Sequence, residues 1–440
     1  MMSRSRKIVV VGAHWGDEGK AKVVDNLVDN PENTVMVRFA GGANTGATLV
    51  IDGQKFVGHQ LPVGVVRPGL VNIMGPYVAC DLEALVLELR VARENGAPVM
   101  IDPRAPIVLP MYKALDRARD GGGTGPASIG TTGKGMGPTY AAFASRYALR
   151  VGDIVRGRNH LMTVRDRIQA YHVELLAGLE SCGVSIEDKA FEFEAQLEQC
   201  LEYAAEIGDV VGDTVRYVRG VIAKSEKDVL FEGSQSIMLD VLHGWPYCTS
   251  CFTGIDAIGN SFGIRRFDQV VGVIKAYSTR VGRGPFPTEM DEFTANIVRE
   301  RGGEYGSTTG RPRRCGWLDL PALRYAVRMG GITCLVMTKA DVLCNLMTIP
   351  VATGYLDPTG TQVLEDAILD TELLAGVKAV YQSAASWAGP LTLERNLSGF
   401  PPIPAELVAY MEQVERATQV SIRGLSIGPD RKEMIWFERP

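Results

Sequence analysis

The chain has 440 residues, 46% of them hydrophobic and 22% charged, with a formal net charge of −5. That length suits one large α/β domain or two to three smaller ones, and the mild acidity argues against a general nucleic-acid binder, whose affinity would come from a basic surface. No apolar run reaches the length of a signal peptide or a membrane span, so a soluble, cytoplasmic protein with no membrane or nucleic-acid partner is expected.

In chain order, Lys7–Val11 and Thr34–Phe39 read as buried strands, and Thr48–Gln60 as a hairpin turning at Asp52-Gly53. Val71–Met74 is a further short apolar run. Asp81 is placed to cap a helix over Leu82–Asn95 that ends at Gly96. Residues 158–226 carry helical periodicity only, in helices around Leu161–Glu180, Asp188–Ile207 and Asp213–Ser225. β character returns with Asp228–Phe231, Val270–Tyr277, Cys334–Met337, Met347–Gly354 and Val420–Leu425. This alternation predicts an α/β fold. A large, mostly parallel central sheet is flanked by helices, with an all-helical insert at about 158–226 and small peripheral elements. No linker or repeat divides 1–440, which reads as a single domain. The eight cysteines are scattered; Cys248 and Cys251 form the lone CxxC, without the second pair that zinc needs.

Ligands of such sheets bind at the carboxyl ends of strands, and six loops rich in Gly, Thr, Asn or Arg follow expected strands or interrupt them. The first, Gly12-Ala-His-Trp-Gly-Asp17-Glu-Gly-Lys20-Ala-Lys22, leads from a strand into a helix, a turn that aims backbone N–H groups at a phosphate. It is P-loop-like without being a Walker A loop: six residues separate Gly12 from Gly19, and Ala21 stands where the magnesium-binding hydroxyl would be. Asp17 beside Lys20 adds an acid or base to the cradle. The second loop is Gly41–Thr48 and the third is Ile129–Pro138, with four glycines and two threonines. The fourth, Phe231–Gln235, puts an amide at a strand end. The fifth, Gly306–Arg314, carries three arginines in four positions, suited to carboxylate or phosphate. The sixth, Thr338-Lys339-Ala340-Asp341, looks like the guanine-reading motif of GTP-binding proteins, in which the carboxylate accepts from N1–H and the 2-amino group.

Taken in order, these loops closely resemble those of the adenylosuccinate synthetase family, GTP-dependent ligases of AMP synthesis. The most specific blocks are Trp15–Lys20, Gly130-Thr-Thr-Gly133, Phe231-Glu-Gly233, Lys275–Gly282, Gly284–Glu289, Thr308–Arg311, Gly316-Trp-Leu-Asp319 and Gly428-Pro-Asp-Arg431. The resemblance implies a two-step ligation of IMP and L-aspartate at the expense of GTP, through a 6-phosphoryl intermediate, with Mg2+ as cofactor. Position by position it implies Asp17 as base and magnesium ligand, Lys20 on the phosphates, and Gly46 as a carbonyl ligand of magnesium. Asn44, Thr132, Gln235, Thr249 and Arg311 match IMP-contacting positions, with Gln235 also counted among the catalytic groups. Arg146 matches an arginine that reaches the neighbouring subunit's active site, which implies a homodimer. Thr309, Arg311 and Arg313 match the aspartate-binding loop, and Gly16, Gly19, Lys20, Lys339, Asp341, Ser426 and Gly428 the GTP site.

The chain departs from the pattern in the second loop, where the family has Gly-Gly-x-Asn-Ala-Gly-His-Thr and Ala47 takes the histidine position. Alanine can neither donate a proton nor bind an oxyanion, and losing one such donor costs about a hundred- to a thousandfold in rate. His14, in place of a common glutamine, and Arg283, in place of a small residue, are candidate replacement electrophiles. The alternatives are a paralogue that acts on a modified or deoxy purine nucleotide or another amine, and a weakly active nucleotide-binding relative.

Overall fold

The computed structural model describes residues 5–120, 128–184, 191–244, 246–248, 250–306, 310–361, 363–364, 371–393 and 402–440. Strands form where apolar residues run unbroken. Those of the central sheet are Lys7–Gly12 (β1), Thr34–Gly42 (β2), Val71–Ala79 (β3), Val99–Ile101 (β4), Asp228–Ser236 (β5), Gln269–Lys275 (β6), Cys334–Thr338 (β7), Ile422–Ser426 (β8) and Met434–Trp436 (β9). Among the described residues their order is β9-β8-β7-β6-β1-β5-β2-β3-β4. Every neighbouring pair runs parallel except the edge pair β8 and β9. The sheet is covered on both faces, as parallel sheets require. Along β1, Val9 and Val11 enter one apolar cluster while Ile8 and Val10 enter another.

From β1 the chain steps two places to β2, and β5 later fills the gap. β6 then starts the other half of the sheet. The order therefore reverses around β1, and a crevice opens at the carboxyl ends of its neighbours. The hairpin forms as Ala47–Ile51 and Gln54–Gly58 with Asp52 and Gly53 both at positive φ, 49° and 79°, the Asp-Gly geometry that matches strand twist. Its tip leans on the segment after β8: Arg431 N–H donates to Val50 O (2.9 Å), and Lys432 pairs with Asp52.

The helical insert forms as Arg158–Ser181, Phe193–Ile207 and Thr214–Lys224. Leu161, Ile168, Leu175 and Leu179 make one buried stripe, packed in the same core as Leu85 and Leu89 of the helix Leu82–Glu94. The expected start of the middle helix, Asp188–Ala190, lies outside the described residues. Asp213 caps the last helix by accepting from Arg216 N–H at 3.0 Å. Asp81 precedes its helix but makes no side-chain cap; its carboxylate pairs instead with Lys113 at 2.6 Å, a charged partner stronger than a neutral N–H. The strand expected over Met347–Gly354 forms as Ile349–Leu356, but in a separate small sheet with Leu318–Asp319, Val363–Leu364 and Lys378–Ala384.

Under the crevice, Arg38 of β2 and Glu232 of β5 form a buried ion pair at 2.8 Å, each side chain 1% exposed. Burial raises the Glu232 carboxyl, and Arg38 and the Val63 N–H (3.0 Å) oppose the rise. Removing one member of such a pair strands a buried charge, which costs about 3–5 kcal/mol. Glu232→Ala is therefore expected to lower the thermal midpoint sharply; a melting curve matching that of wild type would contradict this reading.

Candidate active site

A cavity of about 310 Å³ lies at the carboxyl edge of the sheet, walled by the loops after β1, β2, β5, β7 and β8. The loop after β1 is built around a buried carboxylate, Glu18. One of its oxygens accepts from Gly16 N–H (2.9 Å), His14 N–H (3.4 Å) and the Ser236 hydroxyl. The other pairs with Lys20 Nζ at 2.7 Å. Burial works to raise the Glu18 carboxyl, but Lys20 and Ser236 outweigh it and hold it at about 2. Gly12 leaves the room: a Cβ there would stand 2.1 Å from Ser236 Oγ and 2.4 Å from a Glu18 oxygen. The backbone turns through positive φ at Gly16 (104°), Asp17 (59°) and Gly19 (84°), which throws the Asp17 side chain outward. Asp17 is about one-third exposed and pairs with Arg313 Nε at 2.5 Å.

A second buried network holds the opposite wall. Glu304 takes Lys275 Nζ on both oxygens (2.8 Å each), the Tyr277 hydroxyl (2.6 Å) and Lys339 Nζ (3.2 Å). Burial again favours the neutral acid, and Lys275 and Lys339 overcome it to hold Glu304 at about 2. The Glu304 carbonyl accepts from Arg313 N–H (2.8 Å), so one residue anchors both the arginine segment and the lysine after β7. Lys22, in the first turn of the helix Lys20–Asn26, donates to Ser426 Oγ (2.9 Å), Gly428 O (2.6 Å) and Glu433 O (2.9 Å). Burial pushes this ammonium down to about 8 against the pull of Glu433, Asp341 and Asp430. The third loop hangs from two aspartates: Asp120 accepts from Ile129 and Gly130 N–H, and Asp116 from Thr131 Oγ1 and Gly135 N–H.

Of the residues singled out by sequence, Gly16, Asp17, Gly19, Lys20, Asn44, Gly46, Thr132, Gln235, Arg313, Lys339, Ser426 and Gly428 all line the cavity. Asp341 sits half-buried in the turn behind Lys339 and is not part of the lining, and burial raises its carboxyl. Arg311 is exposed beyond the cavity edge. Arg146 is exposed just past the C-terminus of the Met136–Ala144 helix, its guanidinium donating to Ala144 O (3.1 Å), and is not part of the lining. Thr249 and Thr309 lie outside the described residues. Ala47 lines the cavity, and its methyl belongs to the apolar cluster that holds Ala21, Val24 and Met36.

Neither candidate replacement electrophile reaches the cavity. His14 is buried behind the loop, with Nε2 on Asp319 O at 3.2 Å and its ring stacked on Trp15; burial lowers its pKa, which disfavours the cation. Arg283 packs against the third loop, where its N–H donates to Ile129 O (3.1 Å). Sequence reasoning missed Glu18, Lys22, Lys275 and Glu304. The first two stand inside the Asp-Glu-Gly-Lys-Ala-Lys run, where four charges in six residues at a strand-to-helix turn are the signal. Nothing local marks Glu304.

Among the described residues no three His, Cys, Asp or Glu side chains converge as a metal cluster. No described helix is long and apolar enough to cross a membrane.

The profile of the adenylosuccinate synthetase family matches residues 9–435. The adenylosuccinate synthetases of Ectopseudomonas mendocina and Anaeromyxobacter sp. are 38% and 39% identical to the chain, covering 99% and 98% of it and 99% of each relative. The solved structure of fully ligated adenylosuccinate synthetase from Plasmodium falciparum is similar with a TM-score of 0.89 at 29% identity, over 98% of this chain and 99% of that one. The succinoaminodeoxyadenylate synthetase of cyanophage S-2L, solved with dGMP and dATP, shares the fold with a TM-score of 0.61 at 18% identity, over 99% and 96% of the two chains.

The Glu18 anchor has a pH signature. Its folded pKa of about 2 lies below the ordinary value of about 4.3. Its contribution is therefore complete above about pH 4.3 and fades as pH falls toward 2. Glu18→Gln is expected to melt several degrees below wild type at neutral pH, with the gap narrowing as pH falls from about 4.3 toward about 2. Thermal melts across that range check this, and a constant gap would contradict it.

Proposed function

The chain belongs to the adenylosuccinate synthetase family, and from that membership we infer the work of each group in its cavity. The chain is a GTP-dependent ligase that joins L-aspartate to IMP and releases adenylosuccinate, GDP and phosphate, in purine biosynthesis. One observation carries the residue assignment: Asp17 stands in the cavity 2.5 Å from Arg313, with Lys20, Gln235 and Lys339 in the same lining.

Asp17 is the base. It accepts the N1 proton of the hypoxanthine ring, the electron pair moves to O6, and O6 bonds to the γ-phosphorus of GTP as the bond to the bridging β–γ oxygen breaks. The amine of aspartate then bonds to C6. The C6–O bond breaks with both electrons leaving on phosphate, and the spare proton of nitrogen passes to solvent. The chemistry turns a poor leaving group into phosphate, and it needs a base together with cations around the transferring group. Asp17 must give up Arg313 before it takes a proton; the carboxylate of the incoming amino acid is a replacement anion for that guanidinium. Lys20 is the phosphate cation of the first loop. Asn44, Thr132, Gln235 and Thr249 hold the IMP, Thr309 and Arg311 join Arg313 on aspartate, and Arg311 also serves the IMP side. Lys339, Asp341, Ser426 and Gly428 form the guanine end of the GTP site, with Gly16 and Gly19 at the phosphates.

The Asp17 carboxylate and the Gly46 carbonyl are hard oxygen donors in one cavity. They fit Mg2+, which takes one or two protein oxygens plus substrate phosphates and would neutralise charge on the phosphoryl group. Arg146, exposed and away from this chain's own cavity, supports a homodimer in which it serves the neighbouring site. Ala47 favours a second reading of the nucleotide alone: a 6-oxopurine other than IMP, in its deoxy or 2-amino form.

A panel of IMP, dIMP, GMP and dGMP with aspartate and GTP, followed by absorbance near 280 nm, tests both readings. IMP is expected to turn over, and no product with any of the four would remove the ligase assignment. Asp17→Ala is expected to cut turnover by about a thousandfold or more, with GTP affinity by calorimetry within threefold of wild type. Ala47→His is expected to raise the IMP rate about tenfold or more by restoring a donor. A slower reaction would show a pocket rebuilt around a different nucleotide.

A further inference from the structure

Thr45 stands in the second loop where the family pattern has alanine. Its hydroxyl is buried, with the residue 6% exposed, and it accepts from Gln235 Nε2 at 2.9 Å. The other end of the same amide is held too: Ser250 Oγ, in a residue 4% exposed, donates to Gln235 Oε1 at 2.8 Å. Both hydroxyls are fixed by backbone. Thr45 N–H donates to Gly42 O (3.0 Å), Thr45 O meets His59 Nδ1 (2.5 Å), and Ser250 N–H donates to Leu239 O (3.2 Å). Gln235 itself is half-buried at the end of β5 and lines the cavity together with Thr45.

A carboxamide has two N–H donors and two carbonyl lone pairs. The two hydroxyls use one of each, which leaves one donor and one acceptor to face a ligand. Each hydroxyl can donate or accept, so the amide is restrained at both ends in either assignment, and a flip exchanges only the places of the free donor and the free acceptor. With alanine at position 45 the Nε2 end would lose this partner and the amide one of its two restraints. Two positions on, Ala47 has lost the imidazole of the pattern. The second loop thus exchanges a ligand-facing donor for a restraint on a neighbouring one.

We infer that Thr45 is a positioning residue for purine recognition: with Ser250 it clamps the Gln235 carboxamide in place at the 6-oxo edge of the nucleotide. This rests on the proposed placement of Gln235 at the purine. Holding a polar group in place before the ligand arrives removes an ordering cost from binding, so the effect falls on the nucleotide that Gln235 touches and on neither co-substrate.

The test is Thr45→Val, which keeps the shape and removes the hydroxyl, beside Thr45→Ser, which keeps the hydroxyl. Wild-type turnover is measured first and tests the ligase reading alone. Calorimetric Kd for IMP and for GMP on the same proteins reads the clamp without turnover. Thr45→Val is expected to weaken the bound 6-oxopurine nucleotide about five- to tenfold, the scale of one hydrogen bond. KM for GTP and for aspartate should stay within twofold, and Thr45→Ser should bind like wild type. Unchanged nucleotide affinity in a Thr45→Val protein that melts like wild type would overturn the clamp. So would KM values for all three substrates rising together, or a Thr45→Ser variant as weak as Thr45→Val.

Discussion

The geometry of the site depends on one buried charge. Glu18 has no access to water, and it stays ionised because Lys20, the Gly16 N–H and the Ser236 hydroxyl converge on it. Those contacts bend the loop after β1 back on itself. The bend forces left-handed backbone at Asp17 and presents that carboxylate to the cavity. Lys20 is held by the same contact. A loop without this inward carboxylate would leave Asp17 and Lys20 without fixed positions, and a catalytic site tolerates little misplacement.

The rest of the cavity follows the same rule. Its buried or half-buried cations face anions or carbonyls: Arg38 on Glu232, Lys275 and Lys339 on Glu304, Arg313 on Asp17, and Lys22 on the carbonyls near β8. Such pairs set position more than they add stability, because desolvation offsets much of the attraction. Glu304 is central to this division, since it grips the lysine after β7 with its side chain and the arginine segment with its carbonyl. Lys339 and Arg313, on two different loops of the cavity wall, therefore share a single buried anchor.

Much of this was legible in the sequence. The parallel sheet followed from unbroken apolar runs such as Lys7–Val11 and Cys334–Met337, and the hairpin from Asp52-Gly53. The six loops came from composition, and their order carried the family resemblance that assigned Asp17, Asn44, Gln235, Arg313 and Lys339, all of which appear in one lining. What failed was local reasoning about groups whose partners are distant in the chain. Asp81 looked like a helix cap, but Lys113 took its carboxylate. His14 looked like a donor, yet its ring packs on Trp15 and faces Asp319. Glu304 had no local signature, because its meaning comes from Lys275, 29 residues away, and from Lys339.

The account turns on the oxygen at C6 of the purine leaving as part of phosphate. The most direct check is the fate of that atom: the enzyme is given IMP labelled with 18O at C6, together with aspartate and GTP, and the released phosphate is examined by mass spectrometry. One labelled oxygen in each phosphate is the predicted result. Unlabelled phosphate, with water as the source of the new oxygen, would mean that the purine never captures phosphorus and that the carboxylate at position 17 has some other task.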